Sequence, residues 1–146
     1  RAPGRNPRNL RLARDGEGAA HLLRVTVKGA ASTADARTVA KSLVNSPLIK
    51  TMVHGADPNV GRILMAVGKC PDVAINTAAT NAWVNGYQVV GNGARLDFDD
   101  AVVRAALSVE NVDLEVCLGA GLESACAYGC DLTHGYIDEN AAYYSS

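Results

Sequence analysis

Aromatic residues make up only 5% of the chain, with a single Trp and a single Phe. A core must therefore be assembled from Val, Leu, Ile and Ala, and there is little aromatic surface on which nucleobases could stack. Charge of one sign is missing too: 14 Lys and Arg stand against 15 Asp and Glu, for a formal net charge of −1. That balance gives no electrostatic ground for binding nucleic acid or an anionic membrane. No apolar run approaches the roughly 20 residues that span a bilayer, and the first residues lack the apolar stretch of a secretory signal. A cytoplasmic protein without membrane or nucleic-acid partners is the expectation.

Absences extend to chemistry. The sequence contains no Gly-x-x-x-x-Gly-Lys-Ser/Thr phosphate loop, no His-Glu-x-x-His and no Gly-x-Ser-x-Gly elbow. Its three histidines, His21, His54 and His134, lie far apart in unrelated contexts. Of the four cysteines (Cys70, Cys117, Cys126, Cys130), the one close pair has three intervening residues rather than the two of common zinc knuckles. Four such cysteines read as small buried hydrophobes in a reducing compartment, with no metal site.

What is present fits one domain of 146 residues, 48% of them apolar. Arg1 to Arg14 carry five Arg, two Pro and no acid, and residues 1–11 read as a loose arm. Leu22 to Lys28 alternates and is β-branched, a strand ended by Gly29. Ser32, with Asp35 three residues on, opens a helix whose face is Ala36, Val39, Ala40, Leu43 and Val44. Asn45-Ser46-Pro47 stops it. Leu48 to His54 is a second candidate strand, Val60 to Val67 a short helix, and Val73 to Ile75 and Ala82 to Val84 are further strand-like pieces. Asn85-Gly86 is a type I′ hairpin signal leading to Tyr87–Val90, and Gly91-Asn92-Gly93 marks another turn. Asp99 and Asp100 start a helix to about Ser108, where acids suit the helix dipole. Asn111–Leu118 and Ser124–Cys130 read as two strands joined at Gly119-Ala120-Gly121. Strands and helices interleave while hairpin signals argue against an all-parallel sheet, so the class is α/β or mixed α+β.

Four clusters are dense in Gly, Asp, Asn and Glu. In Asp15-Gly16-Glu17-Gly18, flanking glycines let a backbone approach a ligand while the carboxylate meets an ammonium; alone, the cluster reads first as a plain turn with a solvated Glu. In Gly55-Ala56-Asp57-Pro58-Asn59-Val60-Gly61-Arg62, Asp57 or Asn59 is placed to cap the next helix and Arg62 to bind a carboxylate. Gly129-Cys130-Asp131-Leu132-Thr133 sits at a strand end. The fourth is the tail from Glu139-Asn140 to Ser145-Ser146.

In this order the clusters resemble the ornithine acetyltransferase family. The matching stretches are Arg14-Asp15-Gly16-Glu17-Gly18-Ala19, Val25-Thr26-Val27-Lys28-Gly29-Ala30, Val44-Asn45-Ser46-Pro47-Leu48-Ile49-Lys50-Thr51 and Asp57-Pro58-Asn59-Val60-Gly61-Arg62-Ile63-Leu64. Gly129 to Thr133 and the Asn140 tail complete the set, so the resemblance covers residues 12–146. It implies β-sheets layered with helices and a precursor that cleaves itself before a threonine into α and β subunits assembled as α2β2. That threonine carries acetyl from N-acetylornithine to glutamate without a cofactor, acetyl-CoA being an alternative donor in some members. The family nucleophile lies in a Met-Ala-Thr-Met-Leu-type segment upstream of Asp-Gly-Glu-Gly, outside this sequence, so no catalytic residue is expected in the chain. The resemblance assigns substrate binding to Glu17, which would meet the substrate amine, and to Asn140 with Ser145 and Ser146. Departures are visible: Ala20-His21 stand where Thr-Lys usually follows, Val60 stands where Trp is frequent, the tail after Asn140 is one residue longer than usual, and Arg1 to Arg11 do not match the family helix expected there. The rival readings are a fragment of a related self-cleaving aminopeptidase and a non-catalytic amino-acid-binding module.

Overall fold

The computed structural model describes residues 21–130. The arm at 1–11, Glu17, Asp131, His134, Asn140, Ser145 and Ser146 lie outside the described residues. The described chain runs β1 (Leu22–Ala30), α1 (Thr33–Asn45), α2 (Pro47–His54), α3 (Gly61–Gly68), a 3-10 turn at Thr77–Ala79, β2 (Asn81–Val84), β3 (Tyr87–Gly91), β4 (Ala94–Arg95), α4 (Asp100–Leu107), β5 (Asn111–Cys117) and β6 (Glu123–Cys130).

The six strands form one mixed sheet in the order β4-β3-β2-β5-β1-β6. β1 pairs parallel with β5 from Leu22↔Asn111 to Lys28↔Cys117, and antiparallel with β6 from Leu22↔Cys130. The remaining pairs are antiparallel. The mixed α+β class is the one expected.

Alternation explains the layering. Leu23, Val25 and Val27 of β1, Val112, Leu114 and Val116 of β5, and Ala125 and Ala127 of β6 point to one face and are at most 2% exposed. α1 lies over β1 and β6, and α4 over β2 and β3. α1 does so because Ala36, Val39, Ala40, Leu43 and Val44 recur at helical spacing and are all buried, in one core cluster shared with Ile49, Met52, Ile63, Val103 and Leu107. Each large aliphatic so buried contributes roughly 1.5–3 kcal/mol. Ser32 caps α1, its side chain accepting from the Asp35 amide at 3.0 Å, and Asp99 caps α4 through the Ala101 amide at 2.9 Å.

Four expectations need correction. Leu48–His54 is helix, not strand: Ser46 closes α1 by donating its amide to Leu43 O and opens α2 by accepting from the Ile49 amide at 3.3 Å, with Pro47 in the first turn. Ile49, Met52 and Val53 then bury a helical face. Val73–Ile75 forms no strand, its apolar side chains packing on the core from an irregular segment. The turn at Gly119-Ala120-Gly121 makes no hairpin, because β1 lies between β5 and β6; the Ala120 and Gly121 amides both donate to Gly29 O at 2.8 Å instead. Finally, the short β4 was not foreseen, although it follows Asn92 and Gly93, both at positive φ. The Asn85-Gly86 hairpin stands as read, with φ of 48° and 83°. Asn85 also donates to Ala106 O at 2.8 Å and accepts from the Asp113 amide at 2.7 Å, tying the hairpin to α4 and β5.

Candidate functional site

Two of the segments that the sequence singles out, Gly55–Arg62 and Gly129-Cys130, can be placed among the described residues. β1 begins and β6 ends at one end of the sheet, at Leu22↔Cys130, so the described body begins and ends at neighbouring positions. The His54 ring, in the last turn of α2, meets His21 edge-on with centroids 6.5 Å apart. This contact brings the Gly55–Arg62 loop, which follows His54, to the same end.

That loop is internally knotted. Gly55 ends α2 by donating to Thr51 O, Ala56 takes φ 48°, and the Asp57 amide returns to Met52 O at 2.9 Å. Asp57 Oδ1 accepts from the Asn59 amide at 3.2 Å, and Asp57 faces Arg62 at 3.4 Å. Arg62 also donates to Leu48 O at 3.4 Å, and Arg104 to Ala56 O at 3.4 Å. Neither Asp57 nor Asn59 caps α3: the capping position is Val60, without a side-chain bond. Asp57 instead closes an Asx turn, and the carboxylate that Arg62 binds is its neighbour's, so these residues shape the loop.

Lys50 went unnoticed in the sequence. Read as part of an alternating strand, it is an ordinary exposed polar residue; in helix it lies one turn before His54 and is only 4% exposed. A buried ammonium needs a partner, and Lys50 is engaged. The signal that could have found it is the i, i+3, i+4 spacing of Ile49, Met52 and Val53.

None of the four cysteines is in a disulfide, and Cys70 and Cys130 are buried; no group of three metal-ligating side chains exists among the described residues. One hydroxyl–carboxylate contact does occur, Thr33 donating to Glu123 at 3.3 Å on the exposed surface, where it joins the start of α1 to β6. No helix of the described residues is long and apolar enough to cross a membrane. The expected substrate residues Glu17, Asn140, Ser145 and Ser146 lie outside the described residues.

The profile of the ArgJ family matches residues 9–145. The chain belongs to the ArgJ family. The curated relatives include the arginine biosynthesis bifunctional protein ArgJ of Oceanobacillus iheyensis, 42% identical over 132 residues, covering 90% of this chain and 32% of that protein. The Rhodococcoides fascians ArgJ is 46% identical over 135 residues, covering 90% and 33%. Among solved structures, the ArgJ of Bacillus halodurans superposes with a TM-score of 0.76 at 36% identity, covering 91% of this chain and 62% of that one. The family resemblance read from the ordered motifs and the fold class are thereby confirmed. The chain spans about a third of the length of its curated ArgJ relatives.

Proposed function

We propose that this chain is the C-terminal portion of an ArgJ-type acetyltransferase that moves an acetyl group from N-acetylornithine to glutamate through an acetyl-threonine. The threonine lies in the part of the larger protein that this chain does not span, and no metal or organic cofactor takes part; acetyl-CoA is an alternative acetyl donor. The chain's share is substrate recognition: Glu17 meets the substrate ammonium, and Asn140 with Ser145 or Ser146 completes the site. A desolvated carboxylate facing an ammonium discriminates strongly, because the same charge left unpaired is costly. The partner is the α subunit of the same precursor, in an α2β2 assembly, and the compartment is the cytoplasm.

The observation that carries this reading is the family match over nearly the whole chain, joined to a chain that fills a third of its relatives. The pairing of Leu22 with Cys130 supports it, since the described body then begins and ends at neighbouring positions of the sheet. The test is a chimera in which residues 9–145 replace the matching third of the Oceanobacillus iheyensis protein. Acetyl transfer from N-acetylornithine to glutamate is expected. Peptide hydrolysis in its place would assign the chain to a self-cleaving aminopeptidase, and amino-acid binding without either reaction to a binding module.

A further inference from the structure

All the helices of the described residues lie on one face of the sheet, and no described element covers the other. Bare antiparallel sheets are common, but a parallel pair such as β1–β5, inside the sheet, is normally covered on both sides. The uncovered side is not an ordinary solvated one. Across its middle runs a register row of Cys126, Thr26, Glu115 and Trp83, with Thr26 donating to Cys126 Sγ at 3.8 Å. Cys117 stands opposite Lys28 on the same face. Its charges are spent on one another: Lys28 pairs with Glu115 and lies 4.7 Å above the Trp83 ring, and Arg24 faces Asp113 at 3.6 Å. The middle of the face is thus half-buried, with Glu115 its one charged member and that charge paired with Lys28, while Asp113 Oδ1 beside it is buried and accepts no hydrogen bond from the described residues.

We infer that this face, centred on Thr26, Cys117 and Cys126, is the docking surface for the portion of the larger ArgJ protein that this chain does not span. The inference rests on the fragment reading above. Its support is the length outside: about two thirds of the curated relatives and more than a third of the Bacillus halodurans chain must pack somewhere, and the described body offers one uncovered face. Because the face holds two cations and two anions set against one another, the partner surface is closely fitting and without net charge, with a hydrogen-bond donor for Asp113 Oδ1.

The cysteines report on this directly, since Cys117 and Cys126 sit on the open face and Cys70 in the core. Maleimide labelling of the chimera, read peptide by peptide by mass spectrometry, should find Cys117 and Cys126 reacting no faster than Cys70. In the 146-residue chain they should react at least about tenfold faster than Cys70, as expected when only local opening protects a thiol behind an interface. If the isolated chain labels at Cys70 as well, a Thr26→Arg chimera serves as the open-face reference and should label at Cys117 and Cys126. Fast labelling of those two in the unaltered chimera overturns the proposal. So does slow labelling in a folded isolated chain: persistence on dilution would show the chain's own termini covering the face, and loss on dilution a second copy. Acetyl transfer, measured on the same chimera, reports on the functional reading separately.

Discussion

Replacing Gly119 with Ala should destabilise the domain by about 2–4 kcal/mol, and the two parts of that cost can be separated. Gly119 has φ +66°, a conformation that costs an L-residue about 1–2 kcal/mol. An added Cβ would also stand 2.8 Å from Ala79 Cβ and 3.0 Å from Ala79 O, so the 3-10 turn at Thr77–Ala79 must retreat by several tenths of an ångström, an overpacking cost of about 1–2 kcal/mol. For a domain of this size each kilocalorie lowers Tm by about 3–5 °C. Thermal and urea unfolding followed by circular dichroism give both quantities. In the background of Ala79→Gly the contact between the two methyl positions disappears while the backbone strain and the carbonyl contact remain, so part of the cost, under about half, should be recovered. Gly68→Ala is the control, because nothing lies within 4 Å of its new Cβ and it ends helix α3; it should be neutral or stabilise by up to about 1 kcal/mol. A loss under about 0.5 kcal/mol at Gly119, or full rescue by Ala79→Gly, would refute the reasoning.

In the chimera, Glu17→Gln should lower kcat/KM for N-acetylornithine by roughly 10- to 150-fold while self-cleavage on a gel and Tm stay unchanged, the loss of one charge-assisted bond; unaltered kinetics would leave Asp15-Gly16-Glu17-Gly18 an ordinary turn. The 146-residue chain by itself should show no acetyl transfer, and measurable turnover free of contaminating enzyme would contradict the assignment of the nucleophile elsewhere. Asn85→Ala removes bonds of 2.7 and 2.8 Å and a side chain tolerant of positive φ, for an expected loss of about 2–3 kcal/mol in urea unfolding. Arg62→Met should cost about 0.5 kcal/mol, because the Asp57 partner is largely solvated; a much larger loss would give that loop a role beyond its shape.

Local chemistry was legible and long-range pairing was not. The buried face of α1, the Ser32 cap, the helix start at Asp99-Asp100 and the Asn85-Gly86 hairpin all rest on interactions within a few residues, and each stands as read. Leu48–His54 failed because Leu-Ile-Lys-Thr-Met-Val satisfies both periods over so short a window; Ser46 and Pro47 decide for helix, and Pro47 had been read only as a stop. The separation of β5 from β6 by β1 was invisible, since a glycine turn between two strands carries the same local signature whether they pair or straddle a third. Of the site, motif order disclosed the family, but no pattern within the sequence could show that His21, His54 and Cys130 share one end of the sheet.

The position of β1 between β5 and β6 has a consequence for synthesis. It is the earliest described strand, and both its neighbours, β5 and β6, are the last. A growing chain can fold α1, α2 and α3 against one another from nearby contacts, but Leu23, Val25 and Val27 find their flanking strands only after Asn111–Cys117 and Glu123–Cys130 have been made. Such wide sequence separation between partners slows folding and prolongs exposure of a β-branched apolar strand. For this topology the period most prone to misassociation is therefore translation itself, and a truncation before Asn111 should yield an aggregating product, not a smaller domain.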